Sequence, residues 1–193
     1  MLVRAPPAPD NHAPMSSARE AITSVRRPRP DEVGAYYFRY IDLVPEGDVL
    51  IELERGLAET RALLARFGEA RGGHRYAPGK WSVKEVVGHV IDGERVFAYR
   101  ALRIARGDAT PLASFEQDDY VAAARSDQRR LNDLVDELAH LRAANLLLFR
   151  SLQPADWERR GTASNNPFVA CAFPYILAGH ETHHRRVLAE RYL

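Results

Sequence analysis

Along four separate stretches of this chain, apolar residues recur at three- and four-residue steps. That is the spacing of one face of a helix. Over 49–68 the stripe is Leu50, Leu53, Leu57, Leu64 and Phe67; over 83–106 it is Val83, Val86, Val90, Phe97, Ala101 and Ile104. Over 127–152 it is Leu131, Leu134, Leu138, Leu141, Phe149 and Leu152, with Asn145 beside it and in need of a polar partner. A fourth stretch, about 166–192, carries Phe173, Ile176, Leu177 and Val187. No segment alternates convincingly as a strand, so the pattern predicts an all-α four-helix bundle.

The punctuation agrees. Asp48 can cap the first helix by accepting from free amides. Ser82 and Glu85 have the spacing of a capping box at the start of the second, with Trp81 and Val86 placed as a hydrophobic staple. Gly68, the Gly72-Gly73 pair and Gly107-Asp108 supply stops. The connection over 108–125 is too long for adjacent antiparallel helices and predicts a crossover along the bundle, between helices two and three. Pro167 predicts the first position of helix four, and Pro174 a kink inside it. Ahead of the bundle, DEVGAYYFRYI reads as a short N-terminal helix.

A length of 193 residues with 46% hydrophobic residues suits one domain with a sizeable core. We place it at 31–193, preceded by a disordered tail over 1–30, whose proline- and arginine-rich end SVRRPRP reads as a solvated linker. The net charge of +1 points to neither nucleic acid nor a membrane surface as partner. No apolar run approaches a membrane span, and the N-terminus lacks the apolar centre of a secretory signal. The single cysteine, Cys171, admits no internal disulfide and fits a cytoplasmic location; it reads as a buried small residue.

Three histidines fall within five residues in GHETHHRRV, and His180–His184 matches H-E-x-x-H. At about 100° per residue, His180 lies in the middle of the apolar face, His184 about 40° to one side and His183 about 60° to the other. His180 and His184 can therefore reach one cation, or they can be core histidines satisfied by hydrogen bonds. His89, at the flank of the helix-two stripe with small Gly88 and Gly93 beside it, can look into the same cleft and complete a facial set of three imidazoles. A zinc-protease reading fails on its third ligand, because only nine residues follow His184 and none is His, Asp or Cys. Glu181 is then expected at the solvent edge or behind a ligand.

KWSVKEVVGHVIDGERVFAYRALRIARGD, followed much later by YILAGHETHHRRVLAERYL, resembles the DinB-like (YfiT-like) superfamily of metal-dependent enzymes. The resemblance extends over about 31–193, including the ERRGTAS turn. It implies a four-helix bundle, a metal triad of His89, His180 and His184, zinc or nickel as the ion, and a homodimer. It also implies transfer of low-molecular-weight thiols to small-molecule electrophiles, or isomerisation of a thiol adduct. The expected mechanism is a cation lowering the pKa of a bound water or thiol, which then attacks an electrophile. Metal-dependent hydrolysis and a non-catalytic, stress-related metal-binding role are the alternatives. Asp92 could orient His89. Asp118 and Asp119 could close over the cleft as acid or base. Arg100 and Arg103 could meet an anionic substrate.

Overall fold

The computed structural model describes residues 24–193. Four long helices form the bundle: α2 (Val49–Phe67), α3 (Val83–Ala105), α5 (Leu131–Ser151) and α7 (Ala172–Val187), the last extended by a π-helical turn, Leu188–Tyr192. A 3₁₀ turn, Ala35–Tyr37, leads into the short α1 (Phe38–Ile41). The crossover between α3 and α5 contains α4 (Gln117–Ala124). A single turn, α6 (Pro154–Trp157), then precedes a hairpin of β1 (Arg160–Ala163) and β2 (Asn166–Val169).

The helices start where their caps place them. Asp48 Oδ1 accepts from the Leu50 amide at 2.8 Å. The Ser82–Glu85 box closes in both directions, at 3.0 and 2.8 Å. The predicted stripes are buried, apart from the half-buried Leu57, Leu141 and Val187, with Leu53, Val83, Ala101, Leu134 and Phe149 fully enclosed. α3 packs on α5 and α7, and α2 packs on the same two helices.

The apolar core divides in two. One cluster joins α1, the hairpin, the last turns of α3 and the first turns of α7. The other joins the end of α2, the start of α3 and the start of α5. Between them, at mid-height, runs a belt of buried polar side chains: Thr60, His89, Glu94, Arg142, His180 and Glu181.

Three expectations are corrected. The chain over 160–169 is a hairpin and not the start of helix four. Ser164 and Asn165 adopt left-handed φ of 49° and 58°, the turn that matches the twist of two paired strands. Leu112 of the crossover joins β1, donating to Thr162 O and accepting from Ser164 N, each at 2.9 Å. Pro167 therefore lies in β2 opposite Thr162. Pro174 is the third residue of α7, within the first turn, where a missing N–H removes no helix bond; the expected kink is absent. Finally, the described end of the expected tail packs on the bundle. Val25 is buried and its carbonyl accepts from Tyr175 Oη at 2.8 Å. Arg27 donates to Ile41 O and Val44 O, both at 2.7 Å. Arg26 and Arg160 both bind the buried carboxylate of Glu32. Those arginines are thus partnered where a solvated linker was expected. Residues 1–23 of the expected tail lie outside the described residues.

Candidate metal centre

His89 stands two turns into α3, a register fixed by the Ser82 cap. His180 and His184 stand one turn apart on α7. Two glycines allow close approach to α7, one the approach of α3 and the other that of α1. A Cβ on Gly93 would lie 2.9 Å from His180 Cε1, so its absence makes room for that ring. A Cβ on Gly179 would lie 1.9 Å from Tyr40 O, so only glycine lets the α1 backbone lie against α7. Gly88, expected to leave space for the imidazoles, instead faces Ser126 of the crossover.

The three rings converge. His89 Nε2 is 3.0 Å from His180 Nε2, which is 3.2 Å from His184 Nε2. One nitrogen from each ring lies within 4.8 Å of the others. Nitrogens around a tetrahedral zinc at roughly 2.0–2.1 Å would be about 3.3 Å apart, so the spacing fits a cation between them. It fits three neutral imidazoles alone poorly. His180 Nε2 meets two other nitrogens and a neutral ring can place at most one proton there, so lone pairs face each other. Protons do not fill the gap at neutral pH. Burial pushes His89 down to about 4 and His184 to about 3, and drives His180 well below the usual imidazole range. The rings are thus neutral, the form in which an imidazole can bind a divalent metal.

Aromatic side chains hold the rings in place. Trp81 lies 4.9 Å from His89 and Tyr40 lies 5.2 Å from His180, centroid to centroid. A cavity of about 270 Å³ opens onto His89 and His180, walled by Tyr36, Tyr37, Tyr40, Phe97 and Phe115. His183 is exposed and outside the cluster, as its place on the helix face indicated. Asp118 and Asp119 are exposed on α4 and do not line the cavity; the crossover contributes Glu116 and Gln117 there instead. The N-terminal turn of α4 points its first residue, not its second or third, over the mouth. Asp118 still acts on His89 at longer range through its charge. Asp92 sits among Arg95, Glu137 and Arg129, and among the described residues no hydrogen bond joins it to His89.

Glu181 is the largest departure. It is 2% exposed, not at the solvent edge, and accepts from Arg142 Nη1 at 2.8 Å. Arg142, fully buried, also grips Glu94 through Nε and Nη2 at 2.8 and 2.9 Å and donates to Leu53 O. Burial disfavours the guanidinium charge, but the two carboxylates outweigh it and raise its pKa. A protease base at Glu181 would have to leave this buried pairing, which removes the H-E-x-x-H reading. Asn145 finds the partner it needed, donating to Glu94 Oε1 at 2.9 Å. The sequence carries the signal for Arg142, which continues the Leu134, Leu138, Phe149 stripe and so needs buried acids.

Similarity to known proteins agrees with this geometry. No protein of curated function matches the sequence. Among solved structures, YfiT from Bacillus subtilis, described as a probable metal-dependent hydrolase with an unusual four-helix bundle topology, superposes with a TM-score of 0.67 at 17% identity. The match covers 86% of this chain and 90% of that one. A mycothiol-dependent maleylpyruvate isomerase superposes with a TM-score of 0.62 at 15% identity, over 76% of this chain and 61% of that one, so this chain spans less than two thirds of the isomerase. Identities this low establish the fold. The sequence pattern of the DinB superfamily matches residues 52–188, which hold all three imidazoles and the helices that carry them, and the chain belongs to that superfamily.

Proposed function

We propose that the chain is a metal-dependent enzyme in which His89, His180 and His184 hold one divalent ion, zinc or nickel, and that it transfers a low-molecular-weight thiol to a small electrophile. The observation that carries this is the convergence of three Nε2 atoms, two of them from rings that line an aromatic-walled cavity. When bound, such an ion acts as a Lewis acid that lowers the pKa of a water or thiol beside it. The protein's residues supply the rest. Their neutral imidazoles leave the ion its full double charge. The tyrosines and phenylalanines of the wall exclude water and receive an apolar body. Cys171 is enclosed and held up to about 12 by burial, so the thiol comes from outside the chain.

Thiol transfer is favoured over hydrolysis by the shortage of proton carriers. Glu116 is the one carboxylate lining the cavity among the described residues, and it is exposed at the mouth. A thiol that has ionised at the site and passed its proton to solvent can displace a leaving group such as halide, which departs without a proton, whereas hydrolysis of an ester or amide needs a proton for the alkoxide or amine that leaves. Hydrolysis remains the second reading, supported by the likeness to YfiT, with Glu116 as that acid. Metal analysis of protein purified without a histidine tag comes first, with about one ion per chain expected. Conjugation of thiols to a panel of electrophiles is then compared in wild type and His184→Ala. Turnover that needs both thiol and His184 supports transfer; turnover of esters or amides without thiol supports hydrolysis. Absence of metal from the untagged protein removes both.

A further inference from the structure

Three cationic side chains are buried in the described residues, and two have an anion. Lys84 Nζ lies 2.6 Å from Glu69, and Arg142 lies 2.8 Å from both Glu94 and Glu181. Arg100, 2% exposed, pairs with no carboxylate among the described residues. Its Nη2 donates to Ala113 O at 2.6 Å and to Ser164 Oγ at 3.0 Å. The guanidinium carries five N–H donors, and these bonds both leave from one nitrogen. The Tyr37 phenol is a further hydrogen-bond partner, and the rings of Phe97 and Phe115 each lie 5.8 Å away. Leaving a buried charge without a counter-charge is expensive. Arg100 also forms part of the wall of the cavity that opens onto His89 and His180.

We propose that Arg100 is the anchor for the carboxylate of the substrate, and that the substrate class is small aryl carboxylates. This rests on the reading of the cavity as the substrate site. The planar fork matches a carboxylate through two parallel N–H bonds. Tyr36, Tyr37, Tyr40, Phe97 and Phe115 line the space between that fork and the imidazoles and suit a flat apolar body. Arg100 follows His89 by eleven residues, so the two share a face of α3 about 16 Å apart along its axis. The His180 ring packs against Gly93, which precedes Arg100 by seven residues, about 10 Å along the axis, room for a ring between carboxylate and reacting atom. Glu116 at the rim carries the opposite charge and makes no ion pair with Arg100; it selects against dianions that reach the mouth.

The test uses the full chain freed of metal with chelator, so that no carboxylate can bind an ion instead. Calorimetric titration with benzoate and with its neutral isostere benzamide is expected to show benzoate binding at least tenfold tighter. Arg100→Gln, whose amide can still donate to Ala113 O, is expected to lose that preference, and Arg100→Lys to recover part of it. Ser164→Ala removes a contact of Nη2 and is expected to keep it. Equal affinity for the two ligands in wild type overturns the proposal, as does a full preference surviving in Arg100→Gln. The proposal about the ion fails separately, through metal content, which Arg100→Gln should leave unchanged.

Discussion

His183 adjoins His184 in the chain, yet only one of them faces the other imidazoles. Ring direction is therefore the quantity to test at the scale of the residue. We expect His89→Ala and His184→Ala each to reduce bound metal at least tenfold, and His183→Ala to retain it, measured by elemental analysis of untagged protein. Equal loss in all three would contradict the placement. Gly93→Ala tests the space for His180: with a methyl group 2.9 Å from Cε1 the ring must shift, and metal affinity should fall about tenfold or more while the helices persist by circular dichroism. These positions were legible because α3 and α7 are regular helices, for which counting in 100° steps gives direction. Glu181 was misread by the same counting. It does lie on the flank of the helix, but that flank faces Gly56 of α2, where Arg142 reaches it from α5, and a rotation angle does not say which neighbour fills it.

At the scale of the element, the caps and stripes were readable and the start of α7 was not. Phe168 to Phe173 is an unbroken buried run, which fits a strand and a helix equally, and only the Ser164–Asn165 turn separates them. The segment 24–30 was also misread, because its arginines find acids far away in sequence, Glu158 among them. Its clasp gives a pH prediction. Hydrogen bonding from Arg26 holds Glu32 down at about 2, against burial that would raise it from the ordinary 4.5. The folded state thus binds this proton more weakly than the unfolded one. The resulting stability is complete above pH 4.5 and lost as pH falls through about 2. Denaturant unfolding should show Glu32→Gln less stable than wild type by ~2 kcal/mol at pH 7, a gap that closes toward pH 2. A gap independent of pH would contradict the ion pairing.

For the whole molecule, the bundle and its crossover followed from four stripes and one long connection. The division of the core into two apolar clusters did not, because it depends on which heights of four helices align. Among the described residues no helix is long and apolar enough to cross a membrane. The polar belt between the clusters governs stability as well as chemistry. Arg142→Met should destabilise the fold by about 3–5 kcal/mol by stranding two buried carboxylates. Replacing Glu94 and Glu181 by glutamine as well should recover much of that, as read from paired unfolding curves. Destabilisation below ~1 kcal/mol in the single variant would mean that Arg142 does not hold Glu94 and Glu181 together.

The two acids that Arg142 grips belong to the two helices that carry the imidazoles, Glu94 on α3 and Glu181 on α7. α5, which carries none of the three imidazoles, thus ties together the two helices that do. A shorter cation there, Arg142→Lys, would loosen the tie between α3 and α7 and so change the spacing of the three nitrogens together with the stability of the fold.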